Sequence, residues 1–461
     1  MLPTIQSLCH EIRARRISPA ELTHQCLARI EKLNPRLNAF TTVLAETALD
    51  QARRAEQEIF RGKYRGPLHG IPIGLKDIID TAGIRTTAAS ALFKERVPNE
   101  DAEVVRRLHA AGAIILGKQN LHEFAYGGSS MISFYGEVHN PWDVERIAGG
   151  SSGGSAASVA CGMGIAAVGT DTAGSIRLPA SYCGVVGMKP SYGRVSTRGV
   201  IPLSWSFDHV GPITNCVCDA GLMLQVLASD AEIDRAGVVV PVADYTCGIE
   251  ELPPHARIGI PRAFFFDDLD PEVAAAVEKA IQVFRDLGCE IRDDLRLEVP
   301  IDRTLASGEA YAYHKEFVER SPGLYQPATL ARIKSGEKIS DADMLRAKQE
   351  LALSRVAIRK IFDDVEILLT PTVPIPPPVI AELKKNPDQL RPTELMMLGN
   401  TRPFNVWGIP AISIPCGFTK DGMPIGLQLA AASGQSLLLQ VAYGYEQATE
   451  WHKHVPSLIN S

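Results

Sequence analysis

A run of glycine and serine at residues 147–158, "IAGGSSGGSAAS", constrains the fold of this chain more than any other stretch. A flexible tether of this composition would continue as polar coil. Here the run continues into "VACGMGIAAVGT", whose residues are small and mostly apolar. Such residues suit a tightly packed buried helix followed by a short strand. The run is therefore predicted to belong to the core of a domain rather than to a linker.

The same run has two further interpretations. A phosphate loop needs G-x-x-x-x-G-K-[ST] or G-x-G-x-x-G, and neither pattern occurs here. Residues 149–153 do match G-x-S-x-G, the nucleophile elbow of α/β-hydrolases, which would make Ser151 a nucleophile. That elbow follows a buried strand, whereas the preceding segment, "HNPWDVERIA", is polar and interrupted by Pro141. This context disfavours the elbow.

A second serine follows in the segment 165–190, "IAAVGTDTAGSIRLPASYCGVVGMKP". Its first residues predict an apolar strand, Ile165–Val168, which ends in a turn. Ser175 comes directly after the small residues 172–174, which allow successive backbone N–H groups to converge on one point. The turn is therefore predicted to be an oxyanion cradle beside a hydroxyl. A hydroxyl needs a base before it can act as a nucleophile.

Histidine is the usual base, but no histidine lies in a recognisable catalytic context. Four lie nearest to the two serines: His69, His122, His139 and His209. The pair His122-Glu123 lacks the second histidine of the H-E-x-x-H zinc motif. The other candidate is Lys76, at the end of the apolar run in "GIPIGLKD", where desolvation would lower its pKa. The alternative for Lys76 is an ordinary strand-end lysine that points to solvent.

Three segments taken together resemble the amidase signature family: "GIPIGLKD", "GGSSGGSAAS" and "GTDTAGSIRLPASYCGVVGMKP". The resemblance extends to "ELTHQCLARIEKLNPRLNAF", "LGKQNLHEFAYGG", "DHVGPIT", "ILLTPTVP" and "RPFNVWGIPAISIPCGF", with 220–360 the least informative part. It implies a Ser–cis-Ser–Lys arrangement that hydrolyses amides through an acyl-enzyme. In that arrangement Lys76 is the base, Ser151 the bridging residue after a cis peptide from Gly150, and Ser175 the nucleophile.

The resemblance also implies roles for the neighbouring residues. The expected oxyanion donors are the backbone N–H groups of Thr172, Ala173, Gly174 and Ser175. The expected supporting residues are Gly150, Ser152, Asp171 and Arg177, of which the last two are predicted to form an ion pair. For Ser152, Asp171 and Arg177 a purely structural role is an equally good interpretation.

Five apolar residues lie near the catalytic segments in the sequence and are candidates for a substrate pocket: Tyr126, Met131, Phe134, Trp205 and Phe207. An apolar pocket favours aryl or alkyl amides. An acyl-enzyme mechanism would extend to esters and carbamates, whose carbonyls accept the same attack. Packing in the core is the competing fate of these residues.

One alternative within the family is the A subunit of the glutamine-dependent tRNA amidotransferase. That subunit typically has a "SNLARYDGVRYG"-like segment for glutamine, whereas residues 305–337 of this chain read "LASGEAYAYHKEFVERSPGLYQPATLARIKSGE". No counterpart is visible, so a stand-alone hydrolase of a small-molecule amide is favoured. Dimers are common in the family, and a homodimer is an expectation that nothing in the sequence tests.

Composition and charge restrict the kinds of partner, location and cofactor that this protein is expected to have. A formal charge of −6 and a pI near 6.0 disfavour binding to nucleic acid or to an anionic membrane. No signal peptide and no apolar stretch of about 20 residues is visible, so a soluble cytoplasmic protein is expected. The nine cysteines are scattered, as in reduced cytosolic proteins, and the pair at 216 and 218 lacks further metal-ligand spacing. Neither a metal nor another cofactor is predicted.

Local patterns indicate an α/β fold. "NEDAEVVRRLHAAGAIILGKQN" reads as a helix, a glycine stop and a buried strand, and the turn signal "TKDG" predicts a hairpin of Ala411–Phe418 with Pro424–Leu429. The family resemblance implies one α/β/α domain over 1–461, with a large mixed sheet surrounded by helices. We divide it into an N-terminal helical part (1–62), a catalytic core (65–220) and the remaining sheet with the pocket helices (221–461).

Overall fold

The computed structural model describes residues 2–228, 244–432 and 434–460, and it places eleven strands in one sheet. The strands are β1 (Phe40–Val43), β2 (Pro72–Lys76), β3 (Ile114–Gln119), β4 (Ala166–Asp171), β5 (Val186–Lys189), β6 (His209–Thr214), β7 (Arg257–Gly259), β8 (Glu290–Arg292), β9 (Ile367–Pro371), β10 (Ala411–Phe418) and β11 (Pro424–Ala431). Their spatial order is β1-β3-β2-β4-β6-β5-β10-β11-β9-β7-β8. Parallel and antiparallel pairs both occur, which confirms the predicted mixed sheet of an α/β protein. Residues 229–243 of the predicted third region lie outside the described residues.

Helices cover the sheet along the whole chain. They are α1 (Ile5–Arg13), α2 (Pro19–Leu37), α3 (Ala45–Phe60), α4 (Glu103–Ala110), α5 (Gly153–Ala160), α6 (Arg177–Cys183), α7 (Val217–Leu227), α8 (Arg262–Phe265), α9 (Pro271–Asp286), α10 (Thr304–Arg320), α11 (Pro327–Lys334), α12 (Asp341–Ala357), α13 (Ile380–Lys385), α14 (Pro387–Met397), α15 (Pro403–Val406) and α16 (Gln435–Ala448). None of the helices in the described ranges combines the length and the apolar character needed to span a bilayer.

The centre of the sheet explains where a site forms. Strand β2 pairs in parallel with both β3 and β4, so the carboxyl ends of these strands meet at one edge of the sheet. Lys76 is the last residue of β2 and Asp171 is the last residue of β4. Pairing of the two strands therefore brings segments about 90 residues apart in the sequence to the same edge.

Helix α5 contains the second half of the glycine-serine run. All of its residues are buried, as predicted for a core element rather than a linker. A side chain at Gly154 would place its Cβ 2.4 Å from the carbonyl oxygen of Ala39 and 2.5 Å from that of Asn120. Only glycine allows the helix to approach these backbones so closely, and this approach fixes the start of the helix beside Ser151.

The second half of the chain completes the sheet and encloses the site. Strands β10 and β11 form the predicted hairpin, and β11 also pairs with β9, which leads into the proline-rich segment. Helix α10 packs against α11 and α12, and α12 packs against α15. Of these helices, α10 and α15 contribute residues to a cavity that the turn after β4 also lines.

Candidate active site

Lys76 is completely buried at the end of β2 and its amino group meets two hydroxyls. The Nζ atom lies 2.7 Å from Ser151 Oγ and 2.8 Å from Thr170 Oγ1. Burial lowers the pKa of Lys76 to about 7, although Asp171 and Asp208 favour the protonated form. A large share of this lysine is therefore neutral at physiological pH and able to accept a proton.

Ser151 lies in the loop that precedes α5, and the peptide bond between Gly150 and Ser151 is cis. The Ser151 carbonyl accepts hydrogen bonds from the backbone N–H of His122 and from the hydroxyl of Ser130. A side chain at Gly150 would collide with Ser130, since its Cβ would lie 2.7 Å from Ser130 Oγ. The contacts with His122 and Ser130 therefore fix the backbone of this loop, and the Ser151 hydroxyl points to Lys76.

Ser152 connects this loop to β4 and to the second serine. Its backbone N–H donates to the carbonyl of Ser175 at 3.1 Å, and its hydroxyl donates to the carbonyl of Thr170 at 3.1 Å. The Thr170 N–H donates back to the Ser152 hydroxyl at 3.3 Å. Ser152 therefore fixes the distance between the two segments that carry Ser151 and Ser175.

Ser175 lies in the turn after β4 and lines a cavity. Within the described ranges its hydroxyl has no hydrogen-bond partner, so the two serine hydroxyls, of Ser151 and Ser175, are not joined by a hydrogen bond. The resemblance implied a continuous chain from Lys76 through Ser151 to Ser175. The structure contains its first link and leaves the hydroxyl of Ser175 available to a molecule in the cavity.

The turn at residues 172–175 offers three of the four expected oxyanion donors. Across the described residues, the backbone N–H groups of Thr172, Ala173 and Ser175 donate to no protein acceptor. The N–H of Gly174 differs from the expectation, because it donates to Asp171 Oδ1 at 2.7 Å. Gly174 has a φ of +130°, and a side chain there would place its Cβ 1.9 Å from Thr401 Oγ1. Its role in the turn is conformational.

Asp171 and Arg177 form the predicted ion pair, and both side chains are fully buried. Arg177 donates to Asp171 through Nε at 3.0 Å and through Nη2 at 2.9 Å. Although burial opposes ionisation, the guanidinium holds the pKa of Asp171 well below its usual range. Asn405 and Gln428, which sequence reasoning missed, also contact this pair, and Arg177 donates to the carbonyl of Thr401 as well.

A second buried carboxylate, Asp208, was also missed although it lies in the familial segment "DHVGPIT". It accepts hydrogen bonds from the Thr172 hydroxyl and from the backbone N–H groups of Leu203 and Ser204. Burial raises the pKa of Asp208 to about 7 despite these bonds. Asp208 thus links the turn at residues 172–175 to the loop that contains Leu203, which lines the cavity.

The cavity beside Ser175 and the solvent space at its mouth together have an empty volume of about 670 Å³. Tyr126 and Phe207 line it, as the sequence predicted, together with Leu203, Leu398 and Val406.

The other three pocket candidates are not among the lining residues. Met131 packs into the apolar cluster that includes Tyr182 and Met397, while Phe134 and Trp205 are 44 % and 42 % exposed. Proximity in the sequence did not bring these three side chains to the cavity.

Three arginines that also line the cavity, Arg303, Arg391 and Arg402, were not predicted. Arg303 immediately precedes α10, Arg391 lies in α14, and Arg402 immediately precedes α15. The segments between and around them contain no recognisable catalytic motif. Only the tertiary structure brings α10 together with the later helices α14 and α15, and so gathers the three arginines beside the turn that carries Ser175.

The histidines near this edge of the sheet do not serve the two serines. His122 and His209 are buried, and burial lowers the pKa of each well below its usual value. Neither bonds to the hydroxyl of Ser151 or Ser175 in the described part of the chain. No cluster of three His, Cys, Asp or Glu side chains suited to a metal ion occurs among residues 2–228, 244–432 and 434–460.

Fold and site together define a class: an α/β protein in which a buried strand-end lysine meets the hydroxyl of a serine that follows a cis peptide bond. The sequence matches the Amidase family over residues 21–439, so the chain belongs to the amidase signature family.

Relatives with full-length similarity include the A subunit of the glutamyl-tRNA(Gln) amidotransferase of Geobacter sp. (strain M21). It is 38 % identical, over 97 % of this chain and 98 % of the relative. Among solved structures, 6-aminohexanoate cyclic dimer hydrolase is 31 % identical with a TM-score of 0.89 and covers 99 % of both chains. The peptide amidase of Stenotrophomonas maltophilia is 30 % identical with a TM-score of 0.82 and covers 97 % of both.

Proposed function

We propose that this protein hydrolyses small-molecule amides, with Ser175 as nucleophile, Ser151 as proton bridge and Lys76 as base. One observation carries the proposal. Lys76 is fully buried, has no carboxylate of the described residues within hydrogen-bond distance, and places its amino group 2.7 Å from the hydroxyl of Ser151. A neutral amine in that position is suited to draw a proton from the serine.

In the acylation step Ser175 Oγ attacks the carbonyl carbon of the amide. The Ser175 proton passes to Ser151, while the Ser151 proton passes to Lys76. The return of a proton along the same route reaches the amide nitrogen, the C–N bond breaks and the amine leaves. A water molecule then attacks the acyl-enzyme, releases the carboxylic acid and restores Ser175. The hydroxyls of Ser151 and Ser175 must meet in this step, and such bonds commonly tighten only when substrate is bound.

The oxyanion of the tetrahedral intermediate would be bound by the N–H groups of the turn after β4. Those of Thr172, Ala173 and Ser175 are the available donors within the described chain. Each donor of this kind is worth about 3 kcal/mol in comparable hydrolases. The buried pair of Asp171 with Arg177 fixes the turn, because Asp171 also accepts from the backbone of Gly174 and Ile176.

The substrate class is a small amide whose alkyl or aryl part packs against Tyr126 and Phe207. The same acyl-enzyme route would accept esters and carbamates. The peptide amidase and the cyclic dimer hydrolase, to which the chain is similar, support action on amides.

A second candidate function is that of an amidotransferase A subunit. The curated relatives favour it, since the one from Moorella thermoacetica is 39 % identical over 99 % of this chain. The segment at 305–337 favours the stand-alone hydrolase, because it has no counterpart of the segment that the A subunit uses for glutamine. Hydrolysis of amides by the purified chain alone would support the hydrolase. Activity only in the presence of companion subunits, with glutamine as substrate, would support the alternative.

The catalytic assignment is tested with the variants Ser175→Ala, Ser151→Ala and Lys76→Ala on a panel of amides, esters and carbamates. We expect each variant to lose about 10⁴-fold or more in kcat, because residues of one relay act as a unit. The exposed Ser457→Ala is the control and should retain full activity. Undiminished hydrolysis by any of the three variants would contradict the mechanism.

A further inference from the structure

The cavity beside Ser175 is strongly cationic. Arg303, Arg391 and Arg402 line it, and none of its lining residues, all of which lie in the described ranges, is acidic. The rest of the wall is mainly apolar. An apolar pocket for simple alkyl or aryl amides has no need of three guanidinium groups, so their presence requires an explanation.

The positive charge of these arginines is poorly neutralised by the protein. Arg303 has no hydrogen bond or ion pair with any described residue and is partly buried. Arg391 lies 3.6 Å from Glu394, but that carboxylate is already paired with Arg332 at 2.8 Å. Arg402 donates to the carbonyl oxygens of Pro300 and Asp302, which are uncharged acceptors, and the nearby carboxylate of Asp302 favours its charged form without a direct ion pair.

The three cations also affect one another. Burial, together with the charge of Arg391, lowers the pKa of Arg303, and burial with the charge of Arg303 lowers the pKa of Arg402 to about 10. A guanidinium group carries its positive charge at neutral pH. Cations that are partly desolvated and close together destabilise the empty site, and an anion placed among them removes that cost. Guanidinium groups match the two oxygens of a carboxylate in geometry and charge.

We propose that the substrate of this enzyme is an amide that carries a carboxylate, held by Arg303, Arg391 and Arg402 while its amide carbonyl lies on Ser175. This inference rests on the proposed amide hydrolysis. The apolar wall, formed by Leu203, Phe207 and neighbouring residues, would pack against the hydrocarbon that separates the two groups. The preferred substrates are thus monoamides of small dicarboxylic acids rather than neutral amides.

The test compares matched pairs of amides in which only the charge changes. Succinamate, glutaramate and adipamate are each set against the amide with a methyl group in place of the carboxylate: butanamide, pentanamide and hexanamide. For at least one pair, kcat/KM for the anion should exceed that for the neutral amide by about 100-fold, as expected for a charge-assisted contact. Equal values for all three pairs would overturn the inference.

Variants assign the preference to the arginines. Arg303→Gln should reduce the ratio of the two kcat/KM values by about 10- to 100-fold. Arg391→Gln, a less buried position, provides the same measurement if the first variant fails to fold. The matched control is Arg320→Gln at the other end of α10, where the side chain is 77 % exposed, and it should leave the ratio unchanged. A ratio that is the same in all variants would contradict a role of the cavity arginines.

Binding of the dicarboxylates themselves separates this inference from the proposed function. Titration calorimetry with succinate, glutarate and adipate needs no catalysis, and Arg303→Gln should weaken the tightest of them by about tenfold or more. If a dicarboxylate binds in this way while no amide is hydrolysed, the anion site stands and the proposed function fails. If neutral amides are hydrolysed in a manner that depends on Ser175 and no dicarboxylate binds, the proposed function stands and the anion site fails.

Discussion

The ends of two neighbouring strands each bury a lysine, but the two regions give the lysines different partners. Lys76 ends β2 and Lys118 lies in β3, and neither side chain is exposed. The amino group of Lys76 meets the hydroxyls of Ser151 and Thr170. That of Lys118 lies 3.7 Å from Asp77 and also donates to a carbonyl and to a threonine hydroxyl.

This difference separates the proposed base, Lys76, from a structural cation, Lys118. Burial lowers the pKa of Lys76 to about 7 and that of Lys118 to about 8, so burial alone does not distinguish them. The proton on Lys118 completes a buried ion pair with Asp77, whereas the proton on Lys76 faces hydroxyls that can exchange it. Partner chemistry, rather than burial, marks the residue that can act in catalysis.

The largest effect that the comparison predicts is on activity. Lys76→Met should lower kcat by about 10⁴-fold, because the relay loses its base. Its free energy of unfolding should change by less than about 1 kcal/mol or rise, since a buried ammonium is removed and no carboxylate loses its partner. Kinetics and chemical denaturation measure the two quantities. A large loss of stability would mean that Lys76 is a structural cation like Lys118.

Lys118→Met is expected to behave in the opposite way. It leaves the carboxylate of Asp77 buried without its cation, which should cost about 3–5 kcal/mol of stability. The folded fraction should keep kcat within a few-fold of the natural protein. The double variant with Asp77→Asn should recover part of the lost stability. If Lys118→Met abolished turnover in fully folded protein, the distinction between the two regions would be lost.

The pH dependence tests the same distinction. Because only neutral Lys76 can accept a proton, kcat/KM should fall about tenfold per pH unit below a pH of about 7 and level off above it. Asp208 titrates in the same range, so Asp208→Asn is the control. The acidic limb should persist in that variant and move to lower pH, because Asp208 favours the protonated lysine. Loss of the limb in Asp208→Asn would assign it to the aspartate.

Stability should respond to the same titration. The folded-state pKa of Lys76 is lowered from 10.5 to about 7, so between these values the unfolded chain binds the extra proton. The free energy of unfolding should therefore rise with pH across this window. The cost of burying Lys76 is fully present at pH 7 and below, and it disappears as the pH rises above 10.5. In Lys76→Met that part of the slope should disappear. An unchanged slope would show that Lys76 does not titrate in this range.

The smallest predicted effect concerns the threonine that each lysine contacts. Thr170→Val removes an acceptor from Lys76, and it should move the acidic limb of kcat/KM to lower pH by less than about one unit. Thr86→Val makes the same change at Lys118 and serves as the matched control. It should leave the limb in place. A shift of similar size in both variants would point to a general loss of packing.

The short segments around Ser151 and Ser175 were predictable because their chemistry is local. The small apolar residues after the glycine-serine run indicated a core element, the apolar run before Lys76 made that lysine a candidate base, and the family resemblance joined it to the two serines. The cis peptide at Gly150–Ser151 and the buried α5 are both present. The cavity was harder to predict, since Met131, Phe134 and Trp205 lie near the site in the sequence but not among the residues that line the cavity. The three arginines lie in or directly before helices α10, α14 and α15, in segments that carry no catalytic motif.

The sequence by itself determined the α/β class, the hairpin of β10 with β11, and the lysine and two serines of the candidate site. The periodicity and size of neighbouring side chains encode these features locally. Only the tertiary structure decided which buried charges are paired. Asp77 follows Lys76 in the chain, in the turn after β2, yet it pairs with Lys118 of the neighbouring strand β3. Arg303, Arg391 and Arg402 likewise share one cavity only because the tertiary structure brings the start of α10 beside α14 and the start of α15.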